Sequence, residues 1–221
     1  MSKKNSIKRH PLLLSAKLIS NIFHPTYYPL VGLAILFFSA YRELSWDPFG
    51  LASIAYVLSV TALFTIFLPR LLIRLYRMAF SIAPHRLLLR HERFTPYVLH
   101  LLCYLFLLHL LHTWNAQGST LAVIIVSILI QICCTLINCF WKISMHAAGA
   151  GAAIGFTVSH GTMFGVNPLV PVIITIVMCG LVCTSRLILR RHTLAQVNVG
   201  ALVGILCGIA GTLLSSFRGI F

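Results

Sequence analysis

Two histidines, a set of arginines and a glutamine stand at spacings that suit phosphate chemistry. Ser185, Arg186, His192 and Gln196 form one group: a Ser-Arg pair closing an apolar run, a histidine six residues after the arginine, and a glutamine one helical turn further on. Ser144, Met145 and His146 form a second, directly ahead of a run of Ala and Gly. Arg86 and Arg93 form a third. Guanidinium forks match phosphate oxygens in pairs, so Arg86, Arg93 and Arg186 read as phosphate ligands. Ser144 and Ser185 add hydroxyls, and backbone N–H groups near Met145, at the start of a helix, suit an anion.

The histidines divide the remaining work. A neutral imidazole can attack phosphorus in line, and nearby arginines keep it neutral by opposing its protonation. A second, protonated histidine donates to the leaving alkoxide. His192 and His146 take these roles, and Gln196 can accept from His192 Nδ1–H and fix its tautomer. Glu43, Asp47 and Glu92 are the only carboxylates in the chain. No Asp-rich pair is available to hold Mg²⁺ and no carboxylate dyad to run acid–base chemistry, so neither a metal nor a cofactor is expected. Membrane prenyltransferases, phosphatidyltransferases and Glu-dependent pyrophosphatases are excluded on the same ground.

The elements that must position these groups are membrane helices. The chain has 221 residues, 59% hydrophobic and 9% charged, with a mean hydropathy of +0.94. Several runs approach the ~20 apolar residues that cross a bilayer. The expected fold is all-α, a multi-pass transmembrane bundle of six to seven spans. Residues 1–24 read as a basic N-terminal tail and interfacial helix, and residues 25–221 as the transmembrane domain. Spans are expected at residues 25–41 and 49–76, in a hairpin over 94–140, from 147, up to about 184, and over 196–214. Pro69 is expected to kink or end the second. Ala and Gly after His146, with Gly200, Gly204, Gly208 and Gly211 on the last span, favour close helix packing.

Two spans separate each polar group from the next, so all three fall on one side of the membrane. Fifteen of the 17 Lys and Arg share that side, which the positive-inside rule makes cytoplasmic. The net charge of +14 is therefore directed at lipid headgroups and phosphates, not at nucleic acid. The seven cysteines lie mostly within apolar runs and read as packing residues. His100 and His109 share the third span, where packing is favoured over haem ligation.

In these residues the chain resembles the type 2 phosphatidic acid phosphatases, integral-membrane lipid phosphatases. Their first signature is matched by Arg86 through Arg93 with Pro96 displaced, their second by Ser144-Met145-His146, and their third by Ser185-Arg186 and His192. The resemblance covers about residues 50 to 214. It implies a phosphohistidine on His192, His146 as the acid, a phosphorylated membrane lipid as partner, and a bacterial inner membrane, where such enzymes commonly work on the outer face. Ile143 and Met145 replace the usual Pro and Gly, and Gln196 stands where the family has an Asp. That exchange predicts a slower or more selective enzyme. The rival readings are a lipid-phosphate binder or transporter without turnover, and a haem-bearing electron carrier.

Overall fold

In the computed structural model the described residues are 11–41, 48–80, 94–165 and 167–217; they are helical and hold no strand. The order is α1 (Pro11–Ile22), a 3₁₀ turn (Pro25–Tyr27), α2 (Tyr28–Tyr41), α3 (Pro48–Ala62), a π-helical turn (Leu63–Phe67), α4 (Leu68–Ala79), α5 (Phe94–Thr113), α6 (Gly118–Phe140), α7 (Met145–Phe164), α8 (Leu169–Ile188) and α9 (Leu194–Phe217). Five segments are long and apolar enough to cross a membrane: Ser53–Ala79, Thr95–Thr113, Gly118–Phe140, Leu169–Ile188 and Leu194–Ser216. The chain is thus a multi-pass helical membrane protein.

Five such spans among the described residues are fewer than the six or seven expected. The run at 25–41 is split by the 3₁₀ turn and leaves α2 only 14 residues. α7 has 20 residues, but its Ala, Gly and two histidines hold its hydropathy down. Its burial comes from the bundle instead: Ala147, Ala148, Ala150, Ala152 and Phe156 are all buried.

Pro69 does not end its helix. A proline has no N–H for the carbonyl four residues back, here Thr65, and its ring crowds that carbonyl. The chain accommodates this with the π-helical turn just before it, where the Leu68 N–H reaches the Leu63 carbonyl. Helix then continues to Ala79.

The centre of the bundle is the pair α7 and α9. A Cβ added at Gly151 would fall on the Ala201 carbonyl, and one at Gly204 on the Ala148 carbonyl. Each helix therefore uses a glycine where the other's backbone passes, which is how helices in lipid gain dispersion contacts without a hydrophobic driving force. α6 completes the core, with Val123, Val126 and Ile130 packed among Leu33, Leu36, Ala148, Ala152 and Cys207. This rigid seam fixes the starts of α7 and α9, beside which His146 and His192 lie.

Candidate functional site

α8 ends in a tight turn that aims the next residues back at the bundle. Arg190 adopts left-handed backbone, φ 49°, and its N–H donates to the Leu187 carbonyl at 2.9 Å, while Arg191 N–H donates to the Arg186 carbonyl at 3.2 Å. These bonds satisfy carbonyls that a helix end otherwise leaves free. α9 starts two residues after His192. Gln196, in its first turn, receives the ring: His192 Nδ1 lies 3.2 Å from Gln196 Oε1. Thr193 N–H donates to the same oxygen at 3.2 Å. An amide oxygen only accepts, so Nδ1 carries the proton and Nε2 keeps its lone pair.

α7 begins at Met145, and Ser144 is its cap, accepting from Ala147 N–H at 3.3 Å. Ser144 N–H donates to the Gln196 carbonyl at 3.3 Å, tying the two histidine-bearing turns together. Gly149 leaves room for the Tyr28 ring, on which its Cβ would otherwise fall. The Tyr28 hydroxyl in turn donates to the His146 carbonyl at 3.0 Å.

His146 and His192 line one cavity of about 330 Å³, together with Met145, His24 and Lys142. Its far walls come from Tyr97, His100 and Tyr104 of α5 and from Gln131 of α6. Lys142 Nζ donates to the Arg191 carbonyl at 2.9 Å, placing an exposed ammonium at the rim. Burial, then the Arg186 charge and more weakly Lys142, push the His192 pKa down to about 4, against a raising hydrogen bond from Gln196. The ring is therefore neutral at pH 7.

The remaining expected residues are placed less simply. Arg186 lies behind the cavity wall: it gives Nη1 to Ser20 Oγ at 2.6 Å, and its Nε is buried with no partner. Ser144 and Ser185 are buried, 0% and 1% exposed, and do not line the cavity. The Ser185 hydroxyl donates to the Val182 carbonyl at 2.7 Å. The expectation that these two hydroxyls face a ligand is thus not met: one caps a helix and the other bonds its own helix backbone. Arg86 and Arg93 lie outside the described residues.

Three further residues belong to the site without any signal from the sequence pattern. His24 sits between α1 and α2, on the cavity rim, with its ring edge-on to His146 at 5.4 Å. Thr26 N–H donates to its Nδ1 at 3.4 Å, and Thr26 Oγ1 lies 3.0 Å from the same nitrogen. Burial and then Arg70 lower its pKa. Lys142 counts in the sequence only as an orientation charge, although it directly precedes Ile143-Ser144-Met145-His146. Ser20 touches both Arg186 and His146, whose Nε2 donates to the Ser20 carbonyl at 3.2 Å. No sequence rule pairs residues so far apart. Of the two histidines considered for haem, His100 lines the cavity and His109 is exposed.

The described residues include no Asp or Glu, so the cations and imidazoles around the cavity have no carboxylate partner there. A cavity of this polarity is complementary to an anion. No protein-family model, curated protein or solved structure matches the chain.

Proposed function

We propose that the chain is a lipid phosphate phosphatase of the membrane, working through a phosphohistidine on His192. The observation that carries this reading is the pair of rings on one cavity. His192 has Nδ1 held by Gln196 and Nε2 free, and His146 shares the wall. Around them stand Arg186, Lys142 and His24, with no carboxylate among the described residues. Such a setting suits a tetrahedral oxyanion and disfavours a cationic ligand.

In the first step the His192 Nε2 lone pair forms a bond to phosphorus as the ester P–O bond breaks. Burial, then Arg186 and His24, lower the His146 pKa to about 3; a bound phosphate dianion opposes them and stabilises the imidazolium from which the leaving alkoxide takes its proton. In the second step a water attacks the phosphohistidine and gives its proton back to His146. Inorganic phosphate leaves and both histidines return to their starting states. Arg186, with Arg86 and Arg93, neutralises the phosphate oxygens, and Lys142 flanks the nucleophile. The lipid enters from the bilayer of a bacterial inner membrane.

Gln196 supports one rival, a lipid-phosphate binder that does not turn over. An amide fixes the tautomer of His192 yet lends no negative charge to a phosphohistidine. Phosphate release separates the two readings. Detergent-purified protein is supplied with a panel of lipid phosphates in EDTA, alongside His192→Ala and His146→Ala. Release that survives EDTA and is lost in both variants is the expected result. A folded protein that binds phosphate and releases none would leave the binder.

A further inference from the structure

We infer that the C-terminal turn of α1 occupies the anion position of this site, Ser20 standing in for a phosphate with two of its oxygens, and that a ligand binds by displacing that turn. The inference rests on the assignment of Arg186 and His146 as the groups that meet the phosphate and its leaving oxygen.

Ser20 is 5% exposed and meets both groups at once. Its hydroxyl oxygen accepts from Arg186 Nη1 at 2.6 Å, and its carbonyl oxygen accepts from His146 Nε2 at 3.2 Å. The donors that would hold a bound phosphate are therefore already engaged by this chain's own oxygens. The carbonyl is one of the last four of α1, which have no partner inside a helix. Those carbonyls also form the negative end of the helix dipole. A partial negative charge is thus presented to a guanidinium and an imidazole, where the described residues supply no carboxylate.

The fit is incomplete in the way expected of a stand-in. Arg186 Nε is buried and has no partner, while the single serine hydroxyl meets the guanidinium at Nη1; a phosphate brings further oxygens to the remaining N–H groups. Arg186 does not line the cavity of His146 and His192, and its Nη1 is engaged by Ser20 of α1. Displacing the turn joins the guanidinium to the cavity. α1 is held against α8 by a narrow face: Ala16 and Ser20 are buried, while Leu12, Leu18 and Ile22 are exposed and suit the bilayer surface.

A serine that merely orients Arg186 would have the same contacts, and the two roles differ in sign. An orienting serine helps ligand binding; a stand-in competes with it. A ligand that needs a minor open state binds more weakly by the fraction open. Removing one hydrogen bond to a charged group raises that fraction about tenfold.

The test is calorimetric titration of the purified full chain in detergent with inorganic phosphate and with orthovanadate, comparing wild type, Ser20→Ala and Arg186→Ala. About tenfold tighter binding in Ser20→Ala, lost in Arg186→Ala, is expected. Unchanged or weaker binding in Ser20→Ala, or none in either form, overturns the inference. Hydrogen exchange on the wild type gives a check free of any folding defect: saturating vanadate should speed exchange at Ile19 to Phe23, and protection there would overturn it too. The two readings fail separately. Tighter binding without phosphate release keeps the stand-in and removes the phosphatase, whereas release that falls in Ser20→Ala does the reverse.

Discussion

His192 and His146 face one cavity but are held by opposite means. His192 is fixed by a side chain four residues along its own sequence, at 3.2 Å from Gln196 Oε1. His146 is fixed by groups of distant elements, the Ser20 carbonyl on its Nε2 and the Tyr28 hydroxyl on its own carbonyl. The difference matters for chemistry. A locally held ring keeps its geometry when the bundle shifts, which suits a nucleophile; a ring held by a separate helix changes state when that helix moves, which suits a proton donor tied to ligand arrival.

The largest test of this division is removal of each ring. His192→Ala should abolish turnover on every substrate, a loss of at least about 10³-fold, because no other group is placed to attack. His146→Ala should cost about 10²–10⁴-fold on a lipid ester, whose alkoxide needs a proton, and far less on an aryl phosphate, whose phenolate leaves unaided. Phosphate release from the two ester types measures both. Equal losses in His146→Ala on lipid and aryl esters would erase the distinction.

Gln196→Asp comes next. A carboxylate keeps the hydrogen bond to Nδ1 and adds the negative charge that a phosphohistidine lacks here. A serine protease whose histidine-orienting Asp is changed to Asn loses ~10⁴ in turnover. Here the reverse change should raise turnover by at least about tenfold in a steady-state assay. A fall in activity would mean that Gln196 is not a poor substitute for Asp. Tyr28→Phe probes the other ring: it deletes one donor to the His146 carbonyl and should cost about 1 kcal/mol, several-fold in turnover on lipid esters. Aryl esters should be spared, as with His146→Ala.

The same local-versus-distant division decides what the sequence revealed. Gln196 is legible as the partner of His192 because position four on a helix start is a local rule. The α7–α9 seam is legible because glycine at regular spacing has few other uses in lipid, and Gly151 and Gly204 do stand where a partner backbone passes. Ser144 carries two local readings, phosphate hydroxyl and helix cap, and the cap is what the backbone demands at the first turn of α7. Ser20 is illegible, since nothing in a 12-residue amphipathic helix says which buried cation it will cover, and His24, just beyond that helix, meets His146 only through the fold. Hydropathy leaves α7 off the count of five for a related reason: a helix buried by neighbours does not need the apolar surface of one that faces lipid.

The smallest expected effect is a displacement along the pH axis, and it follows from the setting of His192. Burial, Arg186 and Lys142 bring its pKa to about 4, below the ordinary 6.5. A lowered histidine pKa means that the neutral ring persists as pH falls from 6.5 towards 4, and protonation below that removes the lone pair needed for attack. For an aryl phosphate the acid limb that His192 sets in kcat/KM should therefore lie near pH 4, well below the ordinary 6.5. Gln196→Asp places a negative charge beside the ring, which favours the imidazolium, so its acid limb should move to higher pH even as its plateau rises. Paired pH–rate profiles of the two proteins on one aryl phosphate check this, because that substrate takes the His146 proton out of the rate. A wild-type limb at the ordinary 6.5 would show that Arg186 and burial do not reach the nucleophile, and a limb in Gln196→Asp no higher than the wild type's would place the new carboxylate out of contact with it.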